Sequence, residues 1–317
     1  FGPVKTEVPV TEAIWDFWAR KLDPDKEPRA KATRAFAGKR VLVTGASSGI
    51  GAEVCRRLAE LGADVVLVAR RQAELDAVAA ACVARGAPSA VAMAADLADP
   101  DAIDALVKRV LDEGGPVDVL INNAGRSIRR PLVASAERHH DFERLMQLNY
   151  FGPVRLTLGL LPSMRARGYG HVVNVLSAGT PIVPPRFGQY QASKAALNAF
   201  SDALAAEHLH EGIFTTSVYM PLVKTPMVDA TDAYADQPGV MSVEEAAGLV
   251  LDGVVNRRRR VIDTETLRRS IWMMAAPSFM TRVLNVLYRL HPEEEGAHPE
   301  LAPDRALLRR FMGNYRL

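Results

Sequence analysis

Two side chains with complementary acid–base chemistry lie four residues apart in the sequence. Tyr190 and Lys194 fall within a helical pattern at 189–211, and positions i and i+4 of a helix share a face. An ammonium group close to a phenol favours the phenolate. A poor acid or base is thereby brought nearer to working pH. The pair therefore predicts proton transfer to or from a reacting oxygen.

A glycine-rich turn supplies the second chemical feature. Residues 44–51 read TGASSGIG and lie between a short apolar run and a helical pattern. In such a turn the first glycine permits the tight bend, the second lets backbone approach a pyrophosphate, and the third lets the helix pack on the sheet. The helix N-terminus adds free N–H groups and partial positive charge. The turn predicts dinucleotide binding by Gly45, Ser47, Ser48, Gly49, Ile50 and Gly51.

The end of the second strand pattern discriminates between nicotinamide dinucleotides, because it meets the adenosine ribose. An acidic residue there would accept a hydrogen bond from the 2′-hydroxyl. This chain has Arg70 and Arg71 instead, and a guanidinium can pair bidentately with a 2′-phosphate. The sequence therefore predicts NADPH as the cofactor. The alternative is that Arg70 is merely solvated at a strand end.

Alternating strands and helices must position these groups. Short apolar runs without polar alternation are typical of strands buried on both faces, and they occur at 40–44, 65–69, 90–95, 117–121, 171–176 and 214–219. Helical patterns separate them, including a long one at 141–165. The alternation predicts right-handed βαβ units. The fold class is therefore α/β, a Rossmann-type doubly wound parallel sheet flanked by helices, with an apolar helical C-terminal extension.

Three regions are predicted. Residues 1–38 form an N-terminal linker with a short helix at 11–22. Residues 39–263 form the dinucleotide-binding catalytic domain, and residues 264–317 form the helical extension. The last two regions contain a helix at 242–256 opened by Ser242 with Glu245, a short strand at 259–262, and a helical stretch at 266–290 that Pro277 divides. Because the chain begins at Phe1, it is interpreted as a processed chain or a segment with an upstream partner domain.

Composition excludes several classes of protein. The 317 residues carry a net charge of +2, which argues against a nucleic-acid partner held by bulk charge. Two cysteines favour a reducing compartment over a disulfide framework. The sequence has no secretory pattern and no apolar run of about 18 residues. Adjacent His139 and His140 do not share a helix face, so no metal site is predicted. The expected location is cytoplasmic, or at a membrane surface.

The motifs taken together resemble the short-chain dehydrogenase/reductase family over about residues 39–228. They are the G-x-x-x-G-x-G turn, Asn122-Asn123-Ala124-Gly125, Asn149, Ser177 and Tyr190-x-x-x-Lys194. The resemblance implies that Ser177 binds the substrate oxygen, that Lys194 also holds a ribose hydroxyl, and that Asn149 holds a water linking Lys194 to solvent. It further implies a homo-oligomer and adds to the cofactor site Asp96, Leu97, Asn123, Ala124, Gly125, Pro221, Val223 and Thr225. For Asp96, capping of a helix is an alternative role.

A narrower resemblance concerns the substrate. Residues 121–130 (INNAGRSIRR), 140–151 (HDFERLMQLNYF) and 219–227 (YMPLVKTPM) are similar to short-chain reductases that convert fatty acyl-CoA to fatty aldehyde. Cys55 and Cys82 match no known catalytic position and are interpreted as packed small hydrophobes. This agrees with the proposed chemistry, which needs no enzyme nucleophile. The aldehyde is then released or reduced further to the alcohol. Two alternatives stay open: a carbonyl/alcohol oxidoreductase acting on a lipid, steroid or 3-oxoacyl substrate, and a non-catalytic NADP(H)-binding module.

Three further features have open interpretations. Arg126, Arg129 and Arg130 either meet the phosphates of CoA or form a solvated loop with surface ion pairs. The basic run at 257–260 is a solvated turn, or it contacts a phosphate or an anionic lipid. The apolar helices after residue 264 pack in a core or dimer, line an acyl tunnel, or lie on a membrane as an amphipathic surface.

Overall fold

A computed structural model describes residues 28–225 and 240–290. The helix predicted at 11–22, residues 226–239 of the loop after the sixth strand, and residues 291–317 lie outside the described residues.

From residue 40 to 261 the described chain alternates between helices and strands in the predicted order. The helix at 28–36 was not predicted: it lies in the segment interpreted as a linker, and Phe36 at its end is buried in the core. The strands are β1 Arg40–Thr44, β2 Asp64–Ala69, β3 Ala90–Ala94, β4 Val119–Asn122, β5 Gly170–Ser177, β6 Ile213–Met220 and β7 Arg260–Val261. The helices are α1 Pro28–Phe36, α2 Gly49–Glu60, α3 Gln72–Ala84, α4 Pro100–Gly114, α5 His139–Met146, α6 Gly152–Ala166, α7 Gly188–His208, α8 Val243–Val255, α9 Thr264–Ala275 and α10 Pro277–Leu290.

The strands pair in parallel in the order β3-β2-β1-β4-β5-β6-β7. The chain reverses its direction of travel across the sheet between β1 and β4, and a crevice opens at the carboxyl ends of the strands at such a point. The predicted fold class, a doubly wound parallel sheet flanked by helices, is confirmed. The sheet therefore places the ends of β1, β4 and β5 around one crevice.

Two apolar layers cover the faces of the sheet. Alternate residues of a strand point to opposite faces, so Val41 and Val43 join one layer and Leu42 the other. The first layer packs against α2, α3 and α8, and the second against α4, α6 and α7. Burial on both sides explains why the strands read as continuous apolar runs.

The long helix predicted at 141–165 is interrupted. One π-helical turn, Gln147–Phe151, lies between α5 and α6, and the amide of Gly152 donates to the carbonyl of Gln147, five residues earlier. Pro153 explains the interruption, because its nitrogen has no hydrogen to donate to the carbonyl of Asn149, four residues earlier. A π turn of this kind widens the helix locally. Asn149 therefore lies in a distorted turn rather than in regular helix.

The elements after β6 match the predicted pattern. Ser242 Oγ accepts from the amide of Glu245 at 3.1 Å, and the Glu245 carboxylate accepts from the amide of Ser242 at 2.9 Å, so the capping box is present. α9 ends at Ala275 and α10 begins at Pro277, the predicted division. Within residues 28–225 and 240–290, no helix is long and apolar enough to span a bilayer.

One interpretation of these last helices is corrected. Large apolar side chains on α9 and α10 are exposed instead of buried in the core of this chain: Leu267, Ile271, Trp272, Met274, Phe279 and Val286. Core packing within the chain therefore does not explain them.

Candidate active site

A cleft of about 1220 Å³ opens at the carboxyl edge of the sheet. It exceeds the usual volume of a pocket for one small ligand, so it has room for a dinucleotide and a second molecule. Most of the predicted site residues line it: Gly45, Ser47, Ser48, Gly49, Ile50, Arg70, Arg71, Asp96, Leu97, Asn123, Ala124, Gly125, Arg126, Arg129, Ser177, Tyr190, Lys194, Pro221, Val223 and Thr225. Gly51, Asn149 and Arg130 are not among the lining residues.

The glycine turn has the backbone that a phosphate-binding loop requires. Gly45 and Gly49 have φ angles of +67° and +53°, which favour glycine. A side chain at Gly51 would overlap the carbonyl oxygen of Gly45. Gly51 therefore does not line the cleft, but its lack of a side chain lets α2 lie close to the turn. Ser48 is the N-cap of α2, yet its side chain makes no capping hydrogen bond. The first N–H groups of α2 thus fit the pyrophosphate of a dinucleotide.

Hydrogen bonds connect this turn to the end of β4. The Thr44 hydroxyl oxygen accepts from the amides of Asn123 and Ala124, both at 3.0 Å. The Asn123 side-chain amide donates to the Thr44 carbonyl at 3.0 Å. Thr44 was not singled out in the sequence, although its position as the last residue of β1, directly before the turn, could have indicated it.

Asn149 is fully buried behind the cleft. Its side-chain amide donates to the Arg126 carbonyl at 2.9 Å and to Ser193 Oγ at 3.0 Å, and its Oδ1 accepts from the Arg126 amide at 2.9 Å. The side chain thereby ties the loop after β4 to α7. The water-holding role of Asn149 remains a prediction.

Lys194 is buried below the cleft floor. Its Nζ donates to the Val175 carbonyl at 2.8 Å. Gly125 permits the approach, because a Cβ there would lie 3.3 Å from Lys194 Nζ and 3.2 Å from Asn149 Oδ1. Burial lowers the pKa of Lys194 from 10.5 to about 8. The ammonium is therefore easier to deprotonate than that of an exposed lysine.

The hydroxyl of Ser177 is oriented by neighbours that sequence reasoning missed. Ser177 Oγ accepts from the Gly179 amide at 3.1 Å and from Gln191 Nε2 at 3.5 Å. Thr180 Oγ1 in turn donates to Gln191 Oε1 at 3.2 Å. With its oxygen already accepting, Ser177 has its own hydrogen to donate. The geometry suits a hydrogen bond to an oxygen that gains negative charge.

Both arginines at the end of β2 line the cleft, but they differ in their partners. Arg71 is the N-cap of α3 and forms an ion pair with Glu74. Arg70 is the first residue after β2.

Farther along the cleft, the carboxylate of Asp96 accepts a hydrogen bond from the Ala98 amide at 3.0 Å. The N-cap of α4 is Asp99, so the helix-capping alternative for Asp96 is wrong.

The three arginines after β4 separate into two groups. Arg126 and Arg129 line the cleft. Arg130 instead pairs with the buried carboxylate of Asp141, and its amide donates to the Arg186 carbonyl at 2.7 Å. Its guanidinium therefore holds the loop. Two arginines that the sequence did not indicate, Arg144 on α5 and Arg269 on α9, also line the cleft.

The basic run at 257–260 makes contacts within the chain. Arg258 pairs with Asp252 at 2.7 Å, and Arg259 and Arg260 both pair with Asp202. The guanidinium of Arg257 lies 4.3 Å from the ring centre of Phe214. These contacts favour the interpretation as a surface turn before β7.

Both cysteines are packed in the core away from the cleft. Cys55 on α2 and Cys82 on α3 belong to the same apolar layer. Burial raises the pKa of Cys55 well above its usual range and that of Cys82 to about 11. Neither thiol is suited to nucleophilic attack.

The parallel sheet, the glycine turn at a helix N-terminus and the Tyr190/Lys194 pair in one cleft define an oxidoreductase of the dinucleotide-binding class. The chain belongs to the short-chain dehydrogenase family, whose model matches residues 39–235. It is 44% identical over 282 residues to a fatty acyl-CoA reductase of Acinetobacter baylyi, covering 88% of this chain and 95% of that relative.

Two further comparisons agree with this family. A fatty acyl-CoA reductase of Mycobacterium tuberculosis is 49% identical over 216 residues, covering 68% of this chain and 73% of that relative. The structure of a short-chain dehydrogenase from Sphingobium yanoikuyae in complex with NADPH superposes with a TM-score of 0.67 at 31% identity, covering 77% of this chain and 95% of that one. The predicted resemblance to the family is confirmed.

Proposed function

We propose that this chain is an NADPH-dependent reductase that converts long-chain fatty acyl-CoA thioesters to fatty aldehydes. The observation that carries the substrate class is the 44% and 49% identity to two fatty acyl-CoA reductases. The cleft is consistent with it, because Ser177 and Tyr190 line it while both cysteines are buried elsewhere. Hydroxyl donors without a thiol suit reduction of a thioester without an acyl-enzyme.

The reacting groups divide the chemistry between them. Bound NADPH supplies a hydride to the thioester carbonyl carbon. Ser177 donates a hydrogen bond to the carbonyl oxygen as it becomes negative, and Tyr190 transfers its proton to that oxygen. Lys194 stabilises the resulting phenolate by its positive charge. The tetrahedral adduct then re-forms its carbonyl as the carbon–sulfur bond breaks, and the proton leaves with the CoA thiol.

Basic side chains at the cleft fit the phosphates of CoA. Arg126 and Arg129 follow β4, and Arg144 and Arg269 reach the same cleft from α5 and α9. Guanidinium groups from separate elements can bind several phosphate oxygens. We therefore assign the CoA phosphates to Arg126 and Arg129, with Arg144 and Arg269 as additional partners.

The decisive test follows NADPH loss and free thiol together, with palmitoyl-CoA as substrate. Release of one thiol for each NADPH oxidised is expected for the aldehyde product. One thiol for every two NADPH would indicate that the aldehyde is reduced on to the alcohol. NADPH loss without thiol would contradict thioester reduction and favour a carbonyl reductase. Binding of NADPH with no turnover of thioester or ketone would favour a non-catalytic module.

Lys194 predicts a pH dependence of cofactor binding. Its pKa of about 8 means that the free protein loses the ammonium charge as pH rises through that value. Because the ammonium is the form that holds a ribose hydroxyl and the phenolate, affinity for NADPH and kcat/KM should fall above about pH 8. Fluorescence titration of NADPH between about pH 6 and pH 10 measures this change.

The control for this profile is Lys194→Met, which has a similar length and no charge. The variant should bind NADPH weakly and without the change near pH 8. If its affinity changed with pH in the same way as that of the native chain, the titrating group would be another residue.

A further inference from the structure

The outward faces of α9 and α10 carry a stripe of large apolar side chains, here named the apolar stripe. On α9 it contains Leu267, Ile271 and Met274, at helical spacings of four and three, with Trp272 beside them. On α10 it contains Phe279 and Val286, seven residues apart. Each of these side chains is at least 46% exposed. Scattered exposed apolar residues are ordinary, whereas a contiguous set marks an interaction surface.

The inward faces attach these helices to the rest of the protein. Thr266 is buried at the start of α9. At the end of α10, the Tyr288 ring lies 4.6 Å from the Arg186 guanidinium, which also donates to the Tyr288 carbonyl at 3.2 Å. The apolar stripe therefore faces outward on a helix pair that is held at both ends.

Positive charge accompanies the apolar stripe. Residues 266–290 contain four arginines and no acidic residue. On α10, Arg282 and Arg289 are exposed and alternate with Phe279 and Val286 on one face of the helix, at i, i+3, i+7 and i+10. Arg268 and Arg269 on α9 pair with Glu265, at 3.7 and 3.0 Å. The face of α10 is therefore both apolar and cationic.

The combination of apolar and cationic side chains distinguishes between a second copy of the chain and a lipid bilayer as the partner of this surface. An interface with a second copy can include arginine, but a two-fold interface brings the same face of both copies together. Residues 266–290 contain no acidic residue to pair with the arginines of the other copy, which opposes such burial. An anionic bilayer accepts both, since apolar side chains enter the acyl boundary while arginines extend to the headgroups. Trp272 suits the same boundary. At 14 residues, α10 is about 21 Å long, too short to cross and suited to lying in the plane.

We propose that the apolar stripe docks this protein on the surface of an anionic lipid bilayer. Arg269 of α9 also lines the cleft, so the docked helix pair adjoins the site. The proposal stands on the surface of the two helices and does not depend on the acyl-CoA activity.

Cosedimentation of the full chain with vesicles tests the proposal. The chain should bind phosphatidylcholine vesicles with about one third phosphatidylglycerol, bind pure phosphatidylcholine weakly, and lose binding as salt rises. Ile271→Glu with Phe279→Glu should lower the bound-to-free ratio at least about tenfold. The matched control is Val83→Glu on α3, because Val83 is 56% exposed and Ile271 55%. That control should bind like the native chain.

A second variant separates docking from misfolding. Arg282→Gln with Arg289→Gln alters only exposed side chains and should lower binding to anionic vesicles about tenfold while weakening its salt dependence. Unchanged thermal unfolding by circular dichroism confirms that each variant is folded. Three results would overturn the proposal. The first is that the native chain does not bind anionic vesicles. The second is that the Ile271/Phe279 variant binds them as well as the native chain does. The third is that this variant changes from dimer to monomer in the absence of lipid.

Discussion

Tyr190→Phe is expected to lower kcat for thioester reduction about a thousandfold, within the range of a lost general acid. The change removes one oxygen and keeps the ring that lines the cleft beside Phe187. Ser177 still donates to the substrate oxygen, so residual reduction remains, but no phenol supplies the proton. Affinity for NADPH should stay within about twofold, because the glycine turn and Arg70 are unchanged.

The measurement is single-turnover NADPH oxidation with excess protein, beside a fluorescence titration of NADPH. Tyr169→Phe is the matched control, since Tyr169 directly precedes β5 at the opposite edge of the sheet and is outside the cleft lining. It should retain native kcat. A Tyr190→Phe variant with native turnover would show that another group supplies the proton, and parallel loss of NADPH affinity would show a binding role.

The parts of the fold that were predictable are those in which one local pattern has one structural outcome. Apolar runs without alternation predicted strands because both faces of the parallel sheet are covered. Gly45 and Gly49 predicted a turn because few other residues adopt a positive φ. Pro277 predicted a helix boundary because it cannot continue the preceding hydrogen bonds. For the two glycines and Pro277, the residue type alone restricts the backbone.

The details that were not predictable depend on contacts between distant segments. Gln191 and Thr180 orient Ser177, but amide and hydroxyl side chains occur throughout the sequence, and nothing local marks these two. Arg130 was grouped with its neighbours, and only the fold brings the Asp141 carboxylate to it. The π turn had a local signal in Pro153, but the contacts of the Asn149 side chain with Arg126 and Ser193 join segments that are distant in sequence.

The surroundings of α9 and α10 stayed open in the sequence, between a core or dimer, an acyl tunnel and a membrane surface. An amphipathic pattern predicts one apolar face, whereas α10 has apolar residues on both its exposed and its half-buried face. Periodicity alone cannot tell which of two apolar faces meets the protein and which meets another surface. That distinction required the burial of Thr266 and the contact between Arg186 and Tyr288.

The preference for NADPH over NADH should depend on Arg70. Arg70→Ala is expected to raise the KM for NADPH about a hundredfold and to leave the KM for NADH within about twofold, because a charged hydrogen bond contributes about 1.5–3 kcal/mol and the 2′-phosphate is absent from NADH. Arg71→Ala should have a smaller effect, since Arg71 is already paired with Glu74. Initial rates with both cofactors at fixed ionic strength give the KM values for NADPH and NADH of the native chain and of each variant.

Arg85→Ala provides the matched control for the loss of one positive charge. Arg85 lies just after α3, at the end opposite to Arg71, and pairs with Glu60 at 2.9 Å. If general charge attracts the cofactor, Arg85→Ala and Arg70→Ala weaken NADPH alike, and raising salt abolishes the difference between NADPH and NADH. If Arg70 binds the phosphate directly, only Arg70→Ala removes the preference, and it does so at low and high salt. An equal loss for NADH would place Arg70 against the adenosine shared by both cofactors and leave the preference to Arg71.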